Sequence, residues 1–179
     1  MNIITTILLS IAGLIALLLI IALFTKKEYS LHREISINKT KQEVFNYIKL
    51  LKNQDHYSEW VMTDPAMKKE YRGTDGTIGF IYAWSGNNKA GQGEQEIKTI
   101  KDNERIDMEV RFVRPFKGIS DTYMTTVADN LPDKTKVKWG FSSKMNYPLN
   151  IMLLFMNMDK LLGNDIEISL GNLKAILEK

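Results

Sequence analysis

The chain has 179 residues with 24 basic and 21 acidic side chains, a net charge of +3 and no cysteine. Charge this evenly balanced gives no electrostatic reason to expect nucleic acid as a partner, and the lack of thiols is compatible with either redox compartment. All of the charge falls within residues 26–179, a stretch about the size of one domain.

Residues 1–25 carry no charged side chain, and Ile3 to Phe24 is an apolar run broken only by Thr5, Thr6, Ser10 and Gly13. At ~1.5 Å per residue this run makes roughly 33 Å of helix, enough to cross the hydrocarbon core of a bilayer. A cleavable signal peptide would show a basic leader, a shorter apolar core and a small-x-small cleavage site, whereas Ala22-Leu23-Phe24 ends on a bulky ring. The expectation is therefore an uncleaved, single-pass anchor over residues 1–25 and one soluble domain over residues 26–179. Lys26, Lys27, Arg33, Lys39 and Lys41 follow the apolar run, so the positive-inside bias places the domain in the cytoplasm. The same cluster suits the anionic headgroups of a membrane surface.

After the anchor, Leu31, Arg33, Ile35 and Ile37 alternate as one face of a strand. Thr40 and Glu43 have capping-box spacing, and Val44, Phe45, Ile48 and Leu51 follow at helical intervals. Asn38-Lys39-Thr40 also matches a glycosylation sequon, but a cytoplasmic domain excludes it and the helix cap explains Thr40 more simply. Asn53 to Trp60 reads as a second short helix, with Asp64-Pro65 marking its exit.

The period then changes to two. Ile78, Phe80, Tyr82 and Trp84 alternate, as do Ile106, Met108, Val110 and Phe112, and later Val137, Trp139 and Phe141. Met67 to Tyr71, Gly93 to Ile100 and Ser120 to Ala128 are weaker strand candidates, separated by turn-rich pieces such as Thr74-Asp-Gly-Thr77 and Leu131-Pro-Asp-Lys134. This is the pattern of an antiparallel meander. Within it, Gly86-Asn-Asn-Lys-Ala-Gly-Gln-Gly93 begins like a phosphate-binding loop, yet Gln92-Gly93 stands where Lys and Ser or Thr are needed. The stretch joins two strands instead of opening a helix, so it reads as a hairpin loop, with Asn87, Asn88 and the glycines supplying positive φ angles.

Pro148 can open a final helix, along which Ile151, Leu154, Phe155, Met158, Leu161, Leu162, Ile166, Leu170, Leu173 and Leu177 recur. Gly163-Asn164-Asp165 interrupts the run and predicts a kink or two helices, with Asp165 as a new N-cap. Strand, short helices, six strands and a long helix together predict an α+β fold: a curved antiparallel sheet of about seven strands around a C-terminal helix.

With these elements in place, the chain resembles the helix-grip, START-like superfamily (SRPBCC). That group includes START lipid-transfer domains, birch-pollen allergens and bacterial polyketide cyclase/dehydrase-like proteins. Ile35-Ser-Ile-Asn-Lys-Thr-Lys-Gln-Glu-Val-Phe45 looks like its first strand and helix, followed by Trp60. Asp64-Pro-Ala-Met67, Tyr71-Arg-Gly73, Tyr82-Ala-Trp84-Ser-Gly-Asn87, Gly91-Gln-Gly93, Met158-Asp-Lys-Leu-Leu-Gly163 and Asn172-Leu-Lys174 are similar to a bacterial, membrane-anchored branch. The resemblance implies a hydrophobic pocket between sheet and C-terminal helix, and fold likeness supplies no reaction.

Such a pocket would be lined by Phe80, Tyr82, Trp84, Met108, Val110, Phe112, Trp139 and Phe141 from strands, with Met152, Phe155 and Met156 from the helix. The same residues would equally make an ordinary packed core. Glu94, Glu96, Arg111, Asp121 and Tyr123 are candidate acids or bases if one points inward, although alternation puts most of them on the solvated face. His56 and Glu59 have helical i, i+3 spacing, but only His32 remains as a further histidine, so no metal or other cofactor is expected. The leading expectation is a membrane-tethered binding domain for a hydrophobic small molecule or lipid. The alternatives are a polyketide cyclase/dehydrase-like enzyme using the same pocket, and a protein-interaction or chaperone-like module.

Overall fold

The computed structural model of the chain describes residues 2–129 and 133–179. Asn2 caps the first helix, α1 (Ile3–Phe24), by accepting a hydrogen bond from the Ile4 amide. α1 is long and apolar enough to cross a membrane, and Ala22 is its buried residue. Three residues later the chain enters β1 (Glu28–Ile37).

One sheet contains β1, β2 (Lys68–Arg72), β3 (Ile81–Ser85), β4 (Gln92–Lys101), β5 (Arg105–Arg114), β6 (Gly118–Ala128) and β7 (Thr135–Lys144). The strands lie in the order β1-β7-β6-β5-β4-β3-β2, each pair antiparallel. Period-two alternation sends Gln95 and Ile97 of β4, Met108 and Val110 of β5, Thr122 and Met124 of β6, and Val137 and Trp139 of β7 to the inner face. Charged neighbours face out. There the Arg111 guanidinium bonds Glu94 Oε1 at 2.8 Å and Glu96 Oε2 at 2.7 Å, and also bonds Glu109. Its hydrogen bonds hold both the Glu94 and Glu96 carboxyls below their ordinary value.

β3 starts three residues later than the alternation from Ile78 predicts. Gly79 takes a positive φ of 85° and leaves Ile78 exposed, so only from Ile81 onward does the chain pair as a strand. The loop after β3 is the expected hairpin, closed by Gly86 N–H to Gly91 O at 2.8 Å. Of its predicted positive-φ residues Gly91 alone, at 69°, has one. Asn87 acts through its side chain instead, Oδ1 accepting from the Lys89 and Ala90 amides at 2.9 and 3.0 Å. Of the predicted turn Leu131–Lys134, Leu131 and Pro132 lie outside the described residues.

The Thr40–Glu43 capping box opens α2 (Lys41–Ile48) with both reciprocal bonds made. The single helix expected over Asn53–Trp60 is two, α3 (Gln54–Tyr57) and α4 (Glu59–Met62), because Ser58 between them is extended. The backbone groups released at that break are taken up by the last helix: Glu59 N–H donates to Ser169 Oγ at 2.9 Å, and Asn172 Nδ2 donates to Tyr57 O at 3.2 Å.

That last helix, α5 (Met158–Leu177), lies on β1 and the inner face, burying Ile166, Leu170 and Leu173 against Ile37, Phe45, Tyr57 and Ile106. Its break differs from the prediction. Pro148 leads into a 3-10 turn, Leu149–Leu154, and α5 starts anew at Met158 under an Asn157 cap that accepts from the Lys160 amide at 2.9 Å. Helix continues through Gly163-Asn164-Asp165 without an N-cap at Asp165. Gly163 serves close approach: Arg33 lies directly against it and bonds Asp159 Oδ1 and the Asp159 carbonyl, each at 3.0 Å.

Candidate functional site

A cavity of about 210 Å³ opens between the inner face of the sheet, the α3–α4 pair and the N-terminal half of α5. Six of the residues expected to line a pocket do so: Tyr82, Trp84, Val110, Phe112, Trp139 and Phe141. Two others, Phe80 and Met108, are inward but sealed in the core behind the wall, 1% and 2% exposed. Met152, Phe155 and Met156 are not brought to this cavity. Met152 falls in the 3-10 turn before α5, while Phe155 and Met156 line the groove beside α1, where Phe155 is 78% exposed.

The wall is largely aromatic. Trp60 meets Trp139 edge-on with ring centroids 5.8 Å apart, and Trp84 meets Phe112 the same way at 6.1 Å. Two of the indole nitrogens are already paired, Trp139 Nε1 donating to Thr122 Oγ1 at 2.9 Å and Trp84 Nε1 to Ala90 O at 3.1 Å. Thr122 Oγ1 in turn donates a hydrogen bond to Gly140 O at 2.8 Å. Gln95 donates to Met108 Sδ at 3.0 Å. Gln54 also lines the cavity, 5% exposed, and its Nε2 is buried with no hydrogen-bond partner among the described residues. A buried amide left in this state is uncommon and disfavoured by about 1–3 kcal/mol until a partner reaches it.

Sequence periodicity missed Gln54, Trp60, Gln95 and Thr122 as wall residues. Gln95 and Thr122 had a readable signal, a polar side chain at an inward position of an otherwise apolar face; Gln54 and Trp60 sit on helical turns too short to show a face.

The Tyr82 hydroxyl is turned away from the cavity's interior chemistry, donating to Asp55 Oδ1 at 2.6 Å. Tyr71 OH and Lys69 Nζ share the other oxygen of Asp55, at 3.2 and 3.0 Å. Burial, then the bond to Asp55, raises the Tyr82 phenol well above its ordinary range, and burial with Asp55 pushes Tyr71 up to about 12. Neither is a ready proton donor. The candidate acids and bases Glu94, Glu96, Arg111, Asp121 and Tyr123 all sit on the outer face. Exposed His56 lies in α3 while Glu59 begins α4, so they share no helix face. Among the described residues no cluster of three His, Asp or Glu side chains could hold a metal ion. Lys89 and Arg114 stand at the cavity mouth.

No sequence-family profile matches the chain, and no curated protein matches it by sequence. Solved structures do match. A norcoclaurine synthase from Thalictrum flavum, in complex with dopamine and hydroxybenzaldehyde, aligns over 89% of this chain and 92% of its own at a TM-score of 0.63 and 12% identity. The Aha1 dimer from Colwellia psychrerythraea aligns over 84% and 96% at a TM-score of 0.57 and 11% identity. Ara h 8.0201 aligns over 83% and 99% at a TM-score of 0.54 and 11% identity. Likeness at this level of identity is a statement about backbone architecture alone: the chain has the helix-grip fold, a seven-stranded antiparallel sheet curved around its C-terminal helix.

Proposed function

We propose that the chain is a membrane-tethered binding domain for a compact hydrophobic molecule, held between the sheet and α5 near the bilayer surface. The observation that carries this reading is the aromatic cavity of about 210 Å³ with an unpaired Gln54 amide in its wall. A ~150 Å³ apolar cavity accommodates benzene, so this one suits one or two rings or a short acyl segment, not a whole two-chain lipid. Lys89 and Arg114 at the mouth favour an acidic group on the ligand, and Gln54 favours a hydrogen-bond acceptor at the buried end. A protein of the same fold solved with dopamine and hydroxybenzaldehyde, both small aromatics, is consistent with that size.

Tethering rests on α1, which has the length and apolarity of a span, and the Lys26-Lys27 flank favours a cytoplasmic domain. Proton-transfer chemistry of the cyclase/dehydrase kind is the weaker reading. No Asp, Glu or His lines the cavity among the described residues, and the phenol of Tyr82 is committed to Asp55.

All 3 tryptophans of the chain, Trp60, Trp84 and Trp139, line the cavity, so intrinsic fluorescence reports its occupancy. The full chain in lipid nanodiscs is titrated with a nitroxide-bearing aromatic acid. Saturable tryptophan quenching that weakens severalfold in Val110→Phe, which narrows the cavity, is expected. Equal, non-saturating quenching in both proteins would overturn the reading.

A further inference from the structure

The sheet register shows which end of the domain faces α1. Glu28 pairs with Lys144, Ser143 with Ser120, Gly118 with Phe112, Arg114 with Gln92, and Gln92 with Ser85. The start of β1, the end of β7, the β5–β6 turn and the β3–β4 hairpin therefore share one edge. The cavity mouth is on this edge, since Lys89, Ala90, Gly91, Arg114 and Pro115 form it. So is the 3-10 turn, which leaves β7 within a few residues of Lys144.

This edge is held close to α1. Only Thr25, Lys26 and Lys27 separate α1 from β1, a reach of roughly 10 Å. Fully buried Asn150 shortens even that, its Nδ2 donating to the carbonyls of Ala22 at 2.7 Å and Thr25 at 3.1 Å. The last carbonyls of α1 are thus capped by the domain itself. If α1 spans a bilayer, its C-terminal end marks the membrane surface, and the whole edge lies beside that surface.

The side chains there fit that position. Phe116 at the β5–β6 turn is 58% exposed, and Leu149, Leu154 and Phe155 are exposed around the 3-10 turn. A wide groove of about 930 Å³ runs between Ile20, Ile21 and Phe24 of α1 and Leu154, Phe155 and Met156, continuous with the apolar surface of α1. Exposed Lys26, Lys27, Lys89 and Lys117 lie on this edge, and of the charged residues lining the groove Lys26 is basic while Glu28 and Asp159 are acidic. Exposed apolar tips with lysines close by suit a surface that lies in a lipid interface. The opposite edge carries the turn at Asp102–Glu104 and the exposed chain end at Glu178 and Lys179.

We propose that this edge is seated on the bilayer. Phe116 and the 149–156 segment enter the headgroup–acyl boundary, lipid chains occupy the groove beside α1, and the cavity mouth faces the interface from which its ligand comes. The inference rests on the reading of α1 as a span. It adds a second, independent membrane contact about two strand spacings across the sheet, on the order of 10 Å from β1.

The chain has no cysteine, so single labels need no background removal. Leu14→Cys, Phe116→Cys, Phe155→Cys and Asp102→Cys variants of the full chain carry an NBD fluorophore in vesicles of mixed phosphatidylcholine and phosphatidylglycerol. Labels at residues 14, 116 and 155 are expected to brighten severalfold and be quenched by nitroxide lipids, with the label at 102 unaffected. Quenching at 14 but not at 116 and 155 overturns the seating and leaves the anchor standing. No quenching at 14 overturns the anchor and the seating with it.

Discussion

Tyr123 lies on the outer face of the sheet, its ring pressed on Gly140 of the neighbouring strand and covered by the Arg105 guanidinium 4.1 Å from the ring centroid. A Cβ at position 140 would overlap the ring, which cannot bend away as a flexible chain would. Gly140→Ala is therefore expected to lower stability by about 1–3 kcal/mol, and Tyr123→Ala in the same chain to recover part of it in a double-mutant cycle of thermal unfolding. Arg111 makes a pH-dependent contribution. Its hydrogen bonds depress the Glu94 and Glu96 carboxyls from their ordinary 4.5, so the stabilisation is present above that pH and lost as pH falls through the depressed values. Arg111→Gln is expected to cost on the order of 1 kcal/mol near neutral pH, less in high salt, with the gap to wild type closing as acid protonates the two carboxylates. Urea titrations across pH measure this; a gap that widens in acid would contradict it. Both features were half-legible. Period two placed Arg111 and Glu94 on the solvated face, but which carboxylates the guanidinium meets depends on strand register, which pairs Glu94 with Arg111 and Glu96 with Glu109.

Among the elements, the turn before α5 departs most from expectation. Apolar spacing runs unbroken from Ile151 to Leu162 and its one interruption was expected at Gly163–Asp165, so nothing in it distinguishes a helix that starts at Pro148 from one that starts at Met158. The choice is made by Asn157 as cap and by Asn150, whose amide is drawn to the carbonyls at the end of α1. Phe155 and Met156, expected to line the pocket from the helix, consequently face α1 and solvent, and Met152 lies outside the cavity. Asn150→Asp would set a buried carboxylate against two carbonyl oxygens in place of a donor. It is expected to destabilise the junction by about 2–3 kcal/mol and to speed trypsin cleavage after Lys26 and Lys27 in the full chain, with cleavage elsewhere little changed. A cleavage rate equal to wild type would show that Asn150 does not hold α1 to the domain.

For the whole molecule, the cavity is the test of purpose. A ligand that binds only the folded state stabilises it by about 2.7 kcal/mol at a hundredfold excess over Kd. For a domain of this size that is a rise in Tm on the order of 5–10 °C. A small aromatic acid is expected to produce such a shift in the full chain by calorimetry, and a much smaller one in Val110→Phe; identical shifts would place binding elsewhere. The fold was largely readable before any coordinates, because alternation and capping are local: a side chain's period and a Thr40–Glu43 box need only a few neighbouring residues. Seven strands, their antiparallel meander and a closing helix follow from such short-range signals. Whether Tyr82, Trp84, Val110 and Trp139 enclose space while Phe80 and Met108 close up as core is different. That depends on volumes contributed by strands and helices far apart in the chain, on the break at Ser58, and on the register that sets Gln95 and Thr122 into the wall. Local sequence determined the elements and their faces; only tertiary packing, which sums side-chain volume and hydrogen-bond partners across the whole fold, decided where the cavity lies and which edge meets α1.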